Sequence, residues 1–460
     1  MSRLIVVFLL VTPFVPVAAG APATPVVIEH VTVLPMTADG EPVRDATVTL
    51  RDGRIASIEP GKTPAPRGAK RINGRGKFLL PGFTDMHMHL ENDRGMSIAT
   101  GDKSIPYGLI NLEEVLMPYL ANGVTQVFNL TAMSETIGQR VEIESGRVLG
   151  PHIATAALID GSPPMWPMGI SRAAATPEDG RQAVRDASAE GYDFIKVYSK
   201  LSLETFTAIV DEARKHKMRV VGHIPGRGQN ITGRFFQPGF DLVAHAEEFA
   251  QHTNPPSYEA IPRYVEMAKN NGTWLTATLT LDERLVEEIR DPSSLTRRPE
   301  LLYLPPHGYR DVIHDNRYLK DRSEKRIAYI QAVVDFNREL VKAFAAAGVP
   351  VLTGTDAPVP GVMPGFSLHD EFQALAKAGM SNRQVLDGTT RLAAEWLGTI
   401  DDRGTVEVGK RADLVLLDAN PLDDIANTRR IAAVFVNGRY LPRADLEKRL
   451  AALAAKNKTR

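Results

Sequence analysis

Short apolar runs recur through the middle of the chain, and the stretches between them carry apolar residues at helical spacing. The runs are Gly82–Met86, Val124–Leu130, His152–Leu158, Phe194–Tyr198, Arg219–His223, Leu242–Ala244, Trp274–Leu279 and Val351–Thr355. Connectors such as Pro177–Glu190, Ser202–Lys215 and Ala328–Ala347 are amphipathic. Eight buried strands alternating with helices predict an α/β fold, a (β/α)8 TIM barrel over residues 81–402. The stretch 280–327 is too long and proline-containing for a simple connection, so it reads as an excursion with its own helices.

The flanks have a different texture. Val26-Val27-Ile28, Val31-Thr32-Val33, Ala46–Leu50 and Ile55–Ile58 are short strand patterns, with a hairpin signal at Asp52-Gly53. The same texture returns in Ala412–Leu417 and Ala433–Val436, closing on Asn437-Gly438. Neither flank can bury a core alone, so residues 26–80 and 403–442 together predict a small composite β-sandwich domain. Residues 443–460 read as a charged amphipathic helix. At the other end, the basic start Met1-Ser2-Arg3 precedes an apolar stretch from Leu4 to Val17 and then small residues from Ala18 to Ala21. That order predicts a signal peptide over 1–20 and a periplasmic or secreted protein. Pro13 and Pro16 interrupt the apolar stretch, which is short for a bilayer span of roughly 20 residues. No stable membrane anchor is therefore expected after the signal is removed.

Formal net charge is −1, and no basic run is interleaved with aromatics, which argues against a nucleic-acid partner. A small-molecule substrate is expected instead; whether the chain forms a homo-oligomer stays open. With no cysteine, thiolate catalysis and thiolate metal sites are excluded. Chemistry in a barrel of this type gathers at the C-terminal strand ends. There the chain places His87 and His89, Lys196, His223, His245 and Asp356. His-x-His on a strand points both rings to one face. By itself it is a weak signal, and the five separate strand ends together are a stronger one. Plainer readings exist: Lys196 as a lysine at a strand edge, and His245, followed by Glu247 and Glu248, as a surface group.

Leu80-Pro81-Gly82-Phe83-Thr84-Asp85-Met86-His87-Met88-His89 resembles the first-strand signature of the amidohydrolase superfamily. Gly354-Thr355-Asp356-Ala357 resembles its eighth-strand signature, and Gly409–Val415 its return into the sandwich. The likeness runs from about residue 26 to 440 and is greatest to the imidazolonepropionase-like group, which includes Xaa-Pro dipeptidase-like enzymes. It implies two divalent metal ions, zinc by ligand type, with a hydroxide bridging them. By position it implies that His87, His89 and Asp356 hold the more buried metal, and His223 and His245 the second. Lys196 is implied to be an N6-carboxylysine bridging both, since a free ammonium has no lone pair to donate. Asp356 is also the implied catalytic proton shuttle.

Further roles follow from position. Tyr198 lies two residues beyond Lys196, faces the same way, and is a candidate substrate contact. His369, on an expected loop over the barrel mouth, is another by the resemblance. The loop Gly161–Trp166 is a candidate pocket wall, and His152, starting the third strand at the opposite end, is read as structural. His216, His252, His307 and His314 receive no role. The expected reaction is cleavage of an amide bond of the dipeptide or N-acyl amino acid type, a substrate class that comes from the resemblance. One alternative is a cyclic amide or amidine hydrolase or a deaminase on the same barrel; such deaminases carry a Glu three residues after the fifth-strand His, where this chain has Gly226. The other is a non-catalytic binding barrel, which the retention of all six metal-site residues opposes.

Overall fold

The computed structural model describes residues 24–90, 111–166, 169–226 and 232–458. The expected signal peptide lies outside the described residues. Among those described, no helix is long and apolar enough to cross a membrane.

The first flank supplies β1 (Val26–Val33), β2 (Val43–Arg51), β3 (Arg54–Pro60), β4 (Lys70–Asn73) and β5 (Phe78–Pro81). The central strands are β6 (Phe83–Met88), β7 (Val124–Asn129), β8 (His152–Asp160), β9 (Ser171–Ala173), β10 (Phe194–Val197), β11 (Val220–Gly222), β12 (Phe240–Ala244), β13 (Trp274–Thr276) and β14 (Val351–Leu352). The second flank adds β15 (Leu414–Leu417), β16 (Ile431–Val436) and β17 (Arg439–Pro442).

All eight expected barrel strands form, in the order β6-β7-β8-β10-β11-β12-β13-β14, with β9 an extra strand on β8. Every position of β6, β7, β8 and β10 is buried, as a parallel sheet covered on both faces requires. The ring closes between β6 and the segment that follows β14. Met86 N–H donates to Thr353 O at 2.9 Å, Asp356 N–H to His87 O at 2.7 Å, and His89 N–H to Ala357 O at 2.8 Å. Those bonds set the first and last strand ends, where the candidate ligands lie, side by side. The stretch after β13 does carry its own helices, among them Leu279–Arg290 and Pro306–Ile313.

The two flanks join in one mixed sheet because β15 pairs antiparallel with β5. The sheet then folds back on itself: Ile55 N–H donates to Lys410 O and Ala412 N–H to Gly53 O. Val31, Val48, Leu79, Leu414 and Phe435 fill the core so enclosed.

His152 pins this layer to the foot of the barrel. It is only 2% exposed, at the start of β8. Its Nε2 lies 2.9 Å from Asp413 Oδ2, just before β15, and its Nδ1 pairs with Glu144. Burial alone would lower the His152 pKa, but the Asp413 charge and the contacts its ring N–H groups make to the Asp413 and Glu144 carboxylates outweigh it, and the value is raised. Asp413 is correspondingly held low, burial opposing and His152 prevailing. A raised histidine stabilises fully below its ordinary pKa of about 6.5 and loses that contribution as pH climbs through the folded value. The lowered aspartate loses its share only as pH falls through its own folded value. Wild type should therefore exceed the double variant His152→Gln/Asp413→Asn in Tm most at about pH 5–6, and the gap should narrow in alkali. His152→Ala alone should cost up to about 3–5 kcal/mol, because it leaves the buried Asp413 carboxylate only Arg403 at 4.0 Å and the Asn437 N–H. Melting curves across pH test both; a gap independent of pH would remove the ion pair from the account.

Candidate metal centre

Strand ends turn sharply here. Asp356 has φ 64°, His245 φ 80° and Thr278 φ 50°, a left-handed conformation that non-glycine residues adopt at a cost of about 1–3 kcal/mol each. Such strain persists only where surrounding bonds enforce it, and the His87 carbonyl does so for Asp356. Gly354 is needed just before: a Cβ there would lie 2.5 Å from Thr276 Cγ2 and 2.8 Å from His87 Cβ. Backbones at β6 and β14 therefore approach closely enough to seat His87 beside Asp356.

The resulting cluster is compact. His87, His245 and Asp356 each offer a ligand atom within 4.8 Å of the others; among the described residues, no other such group of three occurs. Asp356 Oδ1 lies 3.0 Å from His87 Nε2 and 2.7 Å from His89 Nε2. Lys196 Nζ lies 3.4 Å from His87 Nε2. The His223 and His245 rings stand 5.0 Å apart between centroids, and the His87 and His245 rings 4.4 Å. All six residues implied as metal ligands thus converge from five strand ends.

Three rings are aimed from behind. His89 Nδ1 is 2.7 Å from Thr131 Oγ1, His245 Nδ1 is 2.8 Å from Thr278 Oγ1, and His223 Nδ1 is 2.9 Å from Glu248 Oε1. Tying each Nδ1 to the protein directs the other nitrogen inward, the usual device for orienting a metal-ligating imidazole. His87 Nδ1 is buried with no hydrogen-bond partner among the described residues. Burial, then the Lys196 charge, lowers the His87 pKa to about 3. Burial is also the leading cause of the lowered values at His89 and His245. Neutral imidazoles with lone pairs available suit a divalent cation. Burial opposes ionisation of Asp356, but its close coupling to His87 and the hydrogen bonds with His87 and His89 hold its pKa well below the carboxylate range. Burial also pushes Lys196 down to about 8, easing its amine toward the neutral, nucleophilic form.

Several contributors were not singled out from the sequence. Asp85 sits under the cluster, accepting from Thr355 Oγ1 at 2.7 Å and from the N–H groups of Thr355 and His87; burial raises it to about 7. It faces the same way as His87, two residues on, so strand alternation carried its signal. Glu248 tells against the plainer reading of His245 as a surface group, since His245 is 4% and Glu248 4% exposed. Glu248 also accepts from Ile224 N–H at 2.9 Å. Removing an orienting partner of this kind typically costs about 10–100-fold in metal affinity or activity. Glu248→Gln should therefore weaken metal retention at the His223 side by that order while His87, His89 and Asp356 keep theirs. Competition with a chelator, with metal counted per chain, tests it; unchanged retention would make Glu248 a packing residue.

Tyr198 does face with Lys196: its ring is 4.0 Å from that of His223, and Lys196 Nζ is 5.6 Å from its centroid. Burial raises its pKa while a hydrogen bond with Trp166 opposes, so the phenol stays protonated. The loop Gly161–Trp166 thus reaches the same wall, where the Arg317 guanidinium lies 5.4 Å from the Trp166 ring centroid. His369 is not brought there. It belongs to the helix Phe366–Lys377, is fully buried, and places Nδ1 2.9 Å from Thr428 Oγ1 and Nε2 3.1 Å from Asn122 O. Its ring packs on Phe83, which opens β6 at the end away from His87. It has no place at the barrel mouth, and its substrate role is withdrawn.

Residues 78–441 match the model of the amidohydrolase family. The chain is 23% identical over 437 residues to ochratoxinase from Aspergillus niger, covering 84% of this chain and 80% of the relative. Among solved structures it resembles the bottromycin amidohydrolase, with TM-score 0.71, 23% identity, and 94% and 90% of the two chains covered. It also resembles a Xaa-Pro dipeptidase with bound methionine in the active site, with TM-score 0.68, 19% identity, and 91% and 100% covered.

Proposed function

The chain belongs to the amidohydrolase family, and from that membership we propose that it hydrolyses an amide bond of a dipeptide or N-acyl amino acid with two divalent metal ions, zinc by ligand type. His87, His89 and Asp356 would hold one ion, and His223 and His245 the other. Lys196, carboxylated at Nζ, would hold both. The observation that carries this reading is the convergence of His87, His245 and Asp356 within 4.8 Å, ringed by imidazoles whose outer nitrogens are already engaged. When bound, such a metal pair acidifies water and polarises a carbonyl oxygen.

The protein's own groups do the rest. Asp356 Oδ1, ionised and central, takes the proton of the attacking water and delivers it to the leaving nitrogen. Tyr198, kept protonated, donates a hydrogen bond to the substrate carbonyl or carboxylate. Arg317 has no carboxylate within ion-pair reach among the described residues and offers a second anchor for an anionic end. A deaminase reading lacks its acid: Gly226 stands three residues after His223 with φ 78°.

Metal-loaded protein assayed against dipeptides and N-acyl amino acids, with metal counted in the same sample, tests the proposal. Turnover of at least one amide by protein holding two ions per chain is expected. Deamination without amide cleavage, or loaded protein inert to the whole set, would overturn it.

A further inference from the structure

We propose that the cavity beside His89 is a specificity subsite for a bulky, uncharged or cationic apolar group of the substrate, an inference that rests on the amide-hydrolase reading. The empty space it bounds, open mouth and adjoining solvent included, is about 530 Å³. His89 forms part of its wall, so whatever fills it lies against the candidate metal centre. The rest is largely apolar: Pro118, Tyr119, Tyr303, Leu304, Met363 and Phe366.

Two features hold the walls in place. Tyr303 stacks on Phe366 with centroids 5.4 Å apart and planes within 5°. Gly365, at φ 73°, backs onto the helix Leu112–Ala121 so closely that a Cβ would lie 2.4 Å from Pro118 O. The excursion, that helix and the segment after β14 are thereby packed round a preformed space. A preformed apolar pocket selects by shape and burial, at about 10–200-fold per methylene of mismatch. Glu300 also lines the wall. Its charge repels an anionic occupant and tolerates an amine.

Gly308 gives a clean way to fill the space. It lines the cavity within the helix Pro306–Ile313, and the nearest atoms to a Cβ there are those of Pro305 at 3.6 Å and 3.7 Å and Leu304 at 3.9 Å, all ordinary contacts. A larger side chain also favours the helix over glycine, so Gly308→Phe should fold and keep its metals. Binding of phenylalaninamide and glycinamide to wild type and variant, by calorimetry, reads the subsite without turnover. Wild type should bind phenylalaninamide at least ~10-fold more tightly than glycinamide, and Gly308→Phe should abolish that preference. In turnover, kcat/KM for amides with a Phe or Leu side chain should fall at least ~10-fold in the variant, with small-side-chain amides little changed. Equal binding of the two amides by wild type, or a preference that survives in Gly308→Phe, overturns the subsite while leaving amide hydrolysis standing. Loaded wild type that cleaves no amide but keeps the binding preference removes the function and leaves an apolar binding site.

Discussion

Lys196→Ala should lose one or both metal ions and most of the activity, a larger effect than the about 10–100-fold expected of an orienting residue such as Glu248. Lys196 is 2% exposed at the centre of the cluster. Its Nζ lies 3.4 Å from His87 Nε2 and 5.6 Å from the Tyr198 ring centroid, and no carboxylate lies within ion-pair reach among the described residues. A buried ammonium that feels Asp356 and Glu248 only at longer range, with no carboxylate paired to it, is costly, so a purely structural lysine is a poor account of the position. A carboxylated lysine is a better one, because it replaces the unpaired cation with two anionic oxygens facing the imidazoles. Two readouts separate the accounts. Short carboxylates such as acetate or formate, added to Lys196→Ala, should restore part of the metal content and turnover by occupying the vacated place. Lys196→Met, which keeps the volume, should melt without metal no lower than wild type does without metal, since it removes a desolvated amine. If Lys196→Ala keeps two ions and full turnover, the bridging role is wrong.

The barrel and the candidate ligand cluster were legible because both are written in short-range pattern. Buried parallel strands read as unbroken apolar runs, and a chain that alternates them with helices fixes where the strand ends lie. His87 and His223 each sit within a residue of such an end and Asp356 four residues beyond β14, at the close of the same apolar run, so locating the runs located them. What orients them was not legible in the same way. Glu248 acts on His223, 25 positions earlier, and Thr131 acts on His89 across two different strands. Those pairings arise only once the barrel closes, and by local pattern Glu247-Glu248 reads as solvent-facing. His369 failed for a related reason. Its distance after β14 was right for a mouth loop, but the helix begins at Phe366, and its first turn carries the ring inward onto Phe83 and Phe372. The cavity beside His89 lay beyond sequence reading altogether, since its walls come from three segments that meet only in the folded chain.

Asp356→Asn should keep metal at least in part and lose about 10²- to 10⁴-fold in kcat, the usual effect of removing a general base. The substitution preserves size and one oxygen ligand while deleting the charge and the basic site. Backbone placement should survive it, because the left-handed turn at Asp356 is held by its N–H bond to the His87 carbonyl and not by the carboxylate. His87 and His89 would still face an oxygen, so the ring positions have no reason to collapse. The loss should fall on kcat more than on KM, since proton transfer is made in the transition state and not in substrate docking. Weaker activation of water, from one fewer anionic ligand, would deepen the same loss and shift the acidic limb of the pH–rate profile. The competing view assigns Asp356 only to closing the ring between the first and last strands. On that view the Asn variant folds, holds two ions and turns over at nearly the native rate. The two views part on a single preparation in which kcat and metal per chain are both measured. Full metal with near-native kcat takes Asp356 out of the chemistry; full metal with kcat down a hundredfold or more keeps it there as the group that moves the proton.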